Sequence, residues 1–341
     1  MHEEETPLEH VPLDIWYTEG IPLSESIQQA LAADGWQVSF QNFESIEALE
    51  TALEQGRPDA ILCTDGEVQR EGVKKHLREA GVSAQYKPEI AAAFDGVCTS
   101  YYPLGLGVYL TAVNVEAYGG RADNLTSLDT LDVRGEKHHE NTGESFYAVE
   151  SPALLIQSVM RASGSTMKAH IHDNVGDKSF TEAYNALADG VFTGGLDLEK
   201  NTVSALYDGQ AVCGVFLSTE LTGLVESFTF NPAPGLDDLP AAVCARMYGF
   251  AVTAEDETAF GELTMLLNAL LEPERCARLC YGGGCIPAVE GCAAPAGGAL
   301  SGVLATLYET DGWYFFDSDS AFSAVRDVFD AEFREAMKLL N

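Results

Sequence analysis

The stretch LDIWYTEGIPLSESIQQALAADGWQVSFQNFESIEALETALEQGRPDAILCTDG, residues 13–66, decides the fold class. Its short apolar runs LDIWY, WQVSF and DAILC have the length and patterning of β-strands. The segments between them, LSESIQQALAADG and SIEALETALEQG, place apolar residues on one helical face and end at glycine. Such alternation of strand and helix with short links predicts a parallel sheet covered by helices on both faces.

Helices and strands continue along the rest of the chain with less regular spacing. EVQREGVKKHLREAG, residues 67–81, is predicted to form a third helix, and RGEKHHENTGESF, residues 134–146, a polar loop. The later segments SPALLIQSVMRASG, SFTEAYNALADG and TVSALYDG are predicted helices, whereas AVCGVFL and MYGFAV are predicted strands.

Size and charge limit the classes of function. The chain has 341 residues, more than one core usually spans, so two domains are expected. Its 53 acidic and 19 basic residues give a net charge of −34, which disfavours nucleic acid and anionic lipid as partners. A highly soluble surface explains this charge, and preference for a cationic ligand is the alternative. No apolar run in the sequence is long enough to predict a membrane span. The acidic start lacks the pattern of a signal peptide, so none is expected within the chain.

Polar side chains follow the first and third predicted strands. Thr18 and Glu19 follow the first, and Thr64 and Asp65 follow the third, each pair leading into a glycine. Ligands of open parallel sheets bind at the carboxyl ends of strands, so these residues are candidates for ligand contacts. Threonine and aspartate are also good helix N-caps, and that structural role is the alternative.

The glycine–cysteine stretch LCYGGGCIPAVEGC, residues 279–292, is predicted to be a helix end followed by a turn. No Gly-Lys-Ser/Thr follows the glycines, which excludes a P-loop, and the cysteine spacing lacks the Cys-x2-Cys pairs of zinc ribbons. Four cysteines in apolar runs elsewhere are expected to be buried thiols: Cys63, Cys98, Cys213 and Cys244.

No enzyme, cofactor or metal is predicted. His138, His139, His170 and His172, the last followed by Asp173, lie in polar segments, where solvated histidines are more common than metal ligands. The chain contains no Gly-x-Ser-x-Gly, His-Glu-x-x-His or Gly-x-Gly-x-x-Gly motif, so catalysis has no specific support.

Five phrases in order resemble the extracellular solute-binding proteins of ABC importers, family 1 or sugar type, with the type II periplasmic-binding-protein fold. They are DIWYTEG, SIEALETALEQGRPDAILCTDG, YYPLGLGVYLTAVNVEAYGG, SALYDGQAVCGVF and YGFAVTAEDETAFGELTMLLNALLEPERCARLCYGGGCIPA. The third phrase departs from the family, which has tyrosine-asparagine-lysine before a helix. In the corresponding stretch VYLTAVNVEAYGG, the tyrosine and lysine of that motif are missing. Together the phrases span nearly the whole chain.

The resemblance implies two α/β lobes, residues 1–110 with 250–295 and residues 111–249 with 296–341, joined by crossing strands near residues 107–113 and 247–252. It implies a monomer that captures a sugar or small oligosaccharide by lobe closure and delivers it to a membrane permease. It also implies an extracellular or periplasmic location, in some family members as a lipoprotein. A polyamine or other cation is the alternative ligand, and a non-transport sensor or enzyme on the same fold is the alternative class.

The position of each segment in this resemblance implies the ligand-binding residues and a disulfide. Aromatic faces suit sugar rings and carboxylates suit their hydroxyls, although core packing is an equal explanation for Tyr248 and Trp313. The implied contacts are Thr18, Glu19, Asp65, Tyr102, Glu220, Tyr248 and Trp313. Within the cysteine cluster, either Cys280 with Cys285 or Cys276 with Cys292 would fix the loop, and the sequence leaves the pairing open.

Overall fold

The computed structural model describes residues 10–94, 100–119, 124–198, 201–221, 228–294, 297–310 and 312–339. Two compact units divide the chain: Met1–Gly105, Met247–Gly283 and Pro287–Ala293 form unit 1, and the remainder forms unit 2. The predicted α/β class, with a sheet flanked by helices, is confirmed. The lobe boundaries given above stay a prediction.

Unit 1 contains three parallel strands built from the stretch that opened the analysis. The strand β1 (Leu13–Thr18) lies between β2 (Val38–Phe43) and β3 (Ala60–Thr64), with Leu13 opposite Val38 and Ile15 opposite Ala60. The strand β9 (Val243–Val252) pairs antiparallel with β3. On its other side, β9 adjoins β4 (Tyr101–Asn114). Both β4 and β9 pass along the chain from one unit into the other, as the crossing segments were predicted to do.

Local signals explain where the helices of unit 1 begin and end. Ser45 caps α2 (Ile46–Leu53), since its hydroxyl accepts a hydrogen bond from the Ala48 N–H, and Gly35 follows α1 (Ser24–Ala33) at a φ of +79° that favours glycine. The helices are α1 (Ser24–Ala33), α2 (Ile46–Leu53), α3 (Glu71–Lys74), α4 (Pro88–Phe94), α11 (Glu257–Leu270) and α12 (Pro273–Gly282).

In unit 2, β5 (Tyr147–Val149) lies parallel between β6 (Leu196–Asp197) and β7 (Cys213–Leu217). The strand β4 pairs antiparallel with β7 and with β8 (Phe228–Pro232), and β11 (Trp313–Phe315) pairs parallel with β9. The two-residue strand β10 (Ile286–Pro287) pairs with β4.

Helices on unit 2 cover a core rich in aromatic side chains. Phe329 meets Phe180 edge to face at a centroid distance of 6.0 Å, and Phe333 meets Tyr184 in the same way at 5.2 Å. The helices are α5 (Val115–Tyr118), α6 (Leu128–Thr142), α7 (Pro152–Ala162), α8 (Ile171–Asn174), α9 (Lys178–Phe192), α10 (Thr202–Tyr207), α13 (Ala299–Tyr308) and α14 (Ser320–Lys338). Among the described residues, no helix combines the length and apolarity needed to cross a membrane.

Two sequence-based assignments were wrong. The predicted loop at residues 134–146 is mostly helix α6, which Ser127 caps by accepting from the Thr130 N–H. The apolar residues that anchor this helix, Leu128 and Leu131, precede the polar run, so that run contains no amphipathic signal of its own. The predicted third helix, residues 67–81, shrinks to a 3-10 turn and the four-residue α3, because Arg70 between them is extended.

Close packing of α9 against β5 depends on Gly190. A Cβ at Gly190 would lie 2.1 Å from the hydroxyl oxygen of Tyr147, a side chain with no solvent exposure. The exposed helical residue Gly261 on α11 has no atom within 4 Å of the corresponding position. These two glycines therefore form a matched pair for testing the packing of unit 2.

We predict that Gly190→Ala lowers the free energy of unfolding by about 1–3 kcal/mol, because the buried phenol ring must shift. Gly261→Ala should leave it unchanged or raise it by up to about 1 kcal/mol through helix propensity. Urea denaturation followed by circular dichroism measures both. Adding Tyr147→Phe should recover part of the loss in the Gly190 variant, and equal stability of the two alanine variants would contradict this packing.

Candidate functional site

The carboxyl ends of β5, β6 and β7 meet at one edge of the sheet in unit 2. Glu150 directly follows β5, Leu198 follows β6, and the turn Ser218–Glu220 follows β7. This edge is the position at which open parallel sheets usually bind ligands. A cavity of about 440 Å³ opens there, which we call the strand-end cavity, lined by Glu150, Leu198, Asn201, Thr202, Glu220, Arg334 and Lys338.

Two carboxyl groups interact at the rim of the strand-end cavity. Glu220 is hydrogen-bonded through its side chain to Glu150. Partial burial, then the charge of Glu150 and this hydrogen bond, raise the pKa of Glu220 to about 8, with Arg246 acting in the opposite direction. Glu220 is therefore protonated at neutral pH and can donate a hydrogen bond, whereas a carboxylate can only accept.

Arg246, which acts on this carboxyl pair, is itself anchored. Its guanidinium pairs with Asp317 and lies 5.3 Å from the ring centroid of Phe316. Arg326 also lies within ion-pair distance of Asp317, with its Nη1 atom 3.5 Å from the carboxylate. Asp317 thus balances two guanidinium groups, and Arg246 keeps a fixed position beside the acids.

Arg334 enters the strand-end cavity from α14. It donates hydrogen bonds to the backbone oxygen of Glu150 at 2.9 Å and to the backbone oxygen of Leu198 at 3.3 Å. These contacts join the residues that follow β5 and β6 and fix the guanidinium at the cavity.

Thr202, at the start of α10, contributes a buried hydroxyl. The residue is 3 % exposed, and its Oγ1 atom has no hydrogen-bond partner among the described residues. Buried polar atoms are nearly always hydrogen-bonded in folded proteins. Thr202 lines the strand-end cavity, and its hydroxyl lacks a hydrogen-bond partner within the described part of the chain.

A second cavity of about 400 Å³ adjoins the first, and the two share Leu198, Arg334 and Lys338. We call it the α9 cavity, because the end of α9 forms one wall with Val191 and Phe192. Phe192 is 70 % exposed, so its ring is available to a ligand. Aromatic faces beside polar groups are typical of sites for amphipathic rings such as those of sugars.

At the strand ends of unit 1, the polar groups form hydrogen bonds with one another. Thr18 donates to the Glu67 carboxylate at 2.9 Å, and the same carboxylate accepts the Thr64 N–H at 2.8 Å. Glu19 is exposed, and its N–H donates to the backbone oxygen of Phe43 at 2.9 Å. The role of Thr18 and Glu19 in ligand binding stays a prediction.

Three other sequence-based candidates in unit 1 are buried. Asp65 has no solvent exposure, and its carboxylate accepts the Met247 N–H at 3.0 Å. Tyr102 is 7 % exposed, and its hydroxyl donates to the Ala80 oxygen at 2.8 Å. Tyr248 is 2 % exposed on β9, opposite Thr64. These positions suit structural roles, and their contact with a ligand remains untested.

The two candidates in unit 2 lie in different surroundings. Glu220 lines the strand-end cavity. Trp313, on β11, is half-buried, donates from its ring nitrogen to the Thr310 oxygen at 2.8 Å, and stacks near Phe315 at 6.3 Å between centroids. Trp313 is not among the lining residues of either cavity described above.

Sequence reasoning missed Glu150, Thr202, Arg334 and Phe192. Glu150 follows the strand YAV, a three-residue signal too short to separate from the polar stretch before it. Arg334 is one of many charged residues on α14, and only the packing of that helix brings it to the strand ends. A search for acids directly after every short apolar run would have found Glu150.

The cysteines and histidines correspond in part to expectation. Cys63, Cys213 and Cys244 are buried, as predicted, whereas Cys98 lies outside the described residues. Over the described part of the chain, no disulfide is formed and no group of three His, Cys, Asp or Glu side chains is arranged to bind a metal ion. Cys276 lies beside two other thiols, with its sulfur 3.9 Å from that of Cys280 and hydrogen-bonded to Cys292.

Comparison with known proteins identifies the fold. No protein-family model and no curated protein matches this chain. Among solved structures, the GacH receptor of Streptomyces glaucescens, studied in complex with acarbose, is similar over 96 % of each chain, with 14 % identity and a TM-score of 0.73. The sugar-binding protein MalE from Xanthomonas citri is similar over 97 % of this chain and 96 % of its own, with 13 % identity and a TM-score of 0.68.

A third similar structure is of a protein named for polyamines and not for a sugar. The spermidine/putrescine ABC transporter substrate-binding protein PotD from Streptococcus pneumoniae is similar over 96 % of this chain and 97 % of its own, with 14 % identity and a TM-score of 0.60. The resemblance seen in the sequence is thus confirmed for the fold over nearly the full length of the chain.

The pKa of Glu220 predicts how stability depends on pH. A carboxyl group whose pKa rises from 4.5 to about 8 on folding binds more protons in the folded state between these values. Stability therefore falls as the pH rises from about 5 to 8. In Glu220→Gln the free energy of unfolding should decline less over this range than in the wild-type protein. The exposed Glu309→Gln serves as the control, and equal slopes in wild type and Glu220→Gln would contradict the assignment.

Proposed function

We propose that this protein is the solute-binding component of an ABC importer and that its ligand is a sugar or small oligosaccharide. The observation that carries the proposal is the full-length likeness to substrate-binding proteins of known transporters and sugar-binding proteins. The strand-end cavity supports it with paired carboxyl groups that can bind ring hydroxyls, and the α9 cavity with the exposed face of Phe192.

The location and partner follow from the same proposal. A solute-binding protein of this kind works outside the cytoplasmic membrane, as a lipoprotein or a periplasmic protein, and presents its ligand to a permease as a monomer. Capture by closure of two lobes is part of this proposal, and so is the absence of catalysis.

A thermal-shift screen against maltose, maltotriose, cellobiose and raffinose, with spermidine and putrescine as the cationic arm, tests the function. A ligand at a hundred times its dissociation constant adds about 2.7 kcal/mol of stability to the folded state. We expect stabilisation by at least one carbohydrate. Stabilisation by the polyamines alone would replace the sugar proposal with the cationic alternative, and no shift with any compound would exclude these neutral sugars and polyamines as ligands.

Two matched variants locate the binding. Glu150→Gln should raise the dissociation constant of the carbohydrate found in the screen by roughly ten- to a hundredfold, because a hydrogen bond to a charged group is lost. Glu309→Gln removes an exposed acid of the same unit and should leave the dissociation constant unchanged, as measured by isothermal titration calorimetry. Equal effects of the two substitutions would contradict a site at the strand-end cavity.

We also propose that Cys276 and Cys292 form a disulfide when the protein folds in an oxidising compartment. The contact between these two thiols supports this pair, and the bond would join α12 to the loop after β10. Peptide mapping without reductant should yield a Cys276–Cys292 cross-linked peptide, and reduction should lower the free energy of unfolding by about 2–4 kcal/mol. Recovery of only free thiols from protein secreted by its natural host would contradict it.

A further inference from the structure

Basic side chains are scarce in this chain, and two of them line the same pair of adjoining cavities. Against 53 acidic residues there are 19 lysines and arginines, yet Arg334 and Lys338 both line the strand-end and α9 cavities. A third cavity in the same unit, of about 390 Å³, shows the contrast. No lysine or arginine lines it, and its acids are Asp129, Asp132, Glu182, Asp189, Asp237 and Asp238.

The guanidinium of Arg334 is fixed by hydrogen bonds to backbone oxygens, and its charge also attracts the carboxylate of Asp330 on the same helix. Its hydrogen bonds go to the backbone oxygens of Glu150 and Leu198, and it forms no ion pair with a carboxylate in the described part of the chain. A guanidinium has five N–H donors, so hydrogen bonds to two carbonyls leave donors for a further acceptor. Arginine binds carboxylate and phosphate groups in a bidentate geometry.

The remaining polar groups of the strand-end cavity suit a ligand that is also rich in hydroxyls. Among the described residues, the buried Thr202 hydroxyl has no hydrogen-bond partner, and Asn201, its neighbour in sequence, also lines the cavity. The Glu150 carboxylate and partial burial raise the pKa of Glu220, which reduces the negative charge at this rim of the cavity. The lining of the strand-end cavity has two basic residues, Arg334 and Lys338, for its two acids, whereas the third cavity has six acids and no base.

We propose that the strand-end cavity binds an acidic carbohydrate, one that carries a carboxylate or a phosphate, and that Arg334 pairs with this anionic group. This inference rests on the proposed function and narrows its class of ligand. Glu150, Glu220 and Thr202 then bind hydroxyls of the same molecule, and Phe192 in the adjoining cavity offers a face for a further ring.

The test compares charged and neutral carbohydrates of similar size by isothermal titration calorimetry. Digalacturonic acid is the carboxylate probe, glucose 6-phosphate is the phosphate probe, and maltose and glucose are the neutral probes. We expect one of the charged probes to bind at least tenfold more tightly than its neutral counterpart, with affinity that weakens as salt is raised. The probe that binds identifies which anionic group the site accepts.

Two arginine variants assign the effect to the cavity. Arg334→Gln should weaken the charged probe at least tenfold and lower the ratio of charged-probe affinity to neutral-sugar affinity. Arg134→Gln removes an exposed guanidinium on α6 and should change neither. Because Arg334 contacts two backbone oxygens, Arg334→Lys is included to keep the charge, and it should retain part of the discrimination. Circular dichroism melts of each variant without ligand exclude a folding defect.

Failure of this inference can be separated from failure of the proposed function. Neutral sugars that bind as tightly as the charged probes, or charged probes that bind Arg334→Gln as tightly as the wild type, would overturn the acidic-ligand inference alone. If no carbohydrate of either kind binds, the carbohydrate function itself fails, and this inference fails with it.

Discussion

Parallel pairing of β5 with β6 and β7 determines where polar chemistry can gather in unit 2. The register, with Tyr147 opposite both Leu196 and Cys213, brings three strand ends to one edge. The turn after β5 is then fixed by Asp330, whose carboxylate accepts the Ser151 hydroxyl at 2.6 Å and the Ala153 N–H at 2.7 Å. Because this buried acid orders the chain directly after Glu150, the strand-end cavity has a defined wall on a rigid element.

The two units use their strand ends differently. In unit 1, the carboxylates of Glu67 and Asp65 accept hydrogen bonds from backbone and hydroxyl groups of the same unit, which stabilises the turns. In unit 2, the Thr202 hydroxyl has no hydrogen-bond partner among the described residues, and Arg334 donates its hydrogen bonds to backbone oxygens. Since buried polar groups are costly when unpaired, these observations support the ligand site proposed at this edge.

Much of the fold could be predicted from the sequence, because residues 13–66 carry clear strand and helix signals and because the glycine and serine boundaries act locally. The helix α6 was missed since its anchoring residues, Leu128 and Leu131, precede its long polar part. The site was predicted least well. Of the residues at the strand-end cavity, Glu220 was proposed from the resemblance, but Arg334 arrives from a helix distant in sequence, and no local pattern indicates that contact.

A crystal structure of the protein with its best-binding carbohydrate tests the central claim most directly. The account predicts a ligand with hydroxyl groups within hydrogen-bond distance of the Glu150 and Glu220 carboxyl groups and of the Thr202 hydroxyl. A ligand bound elsewhere, with the strand-end cavity occupied only by solvent, would contradict it.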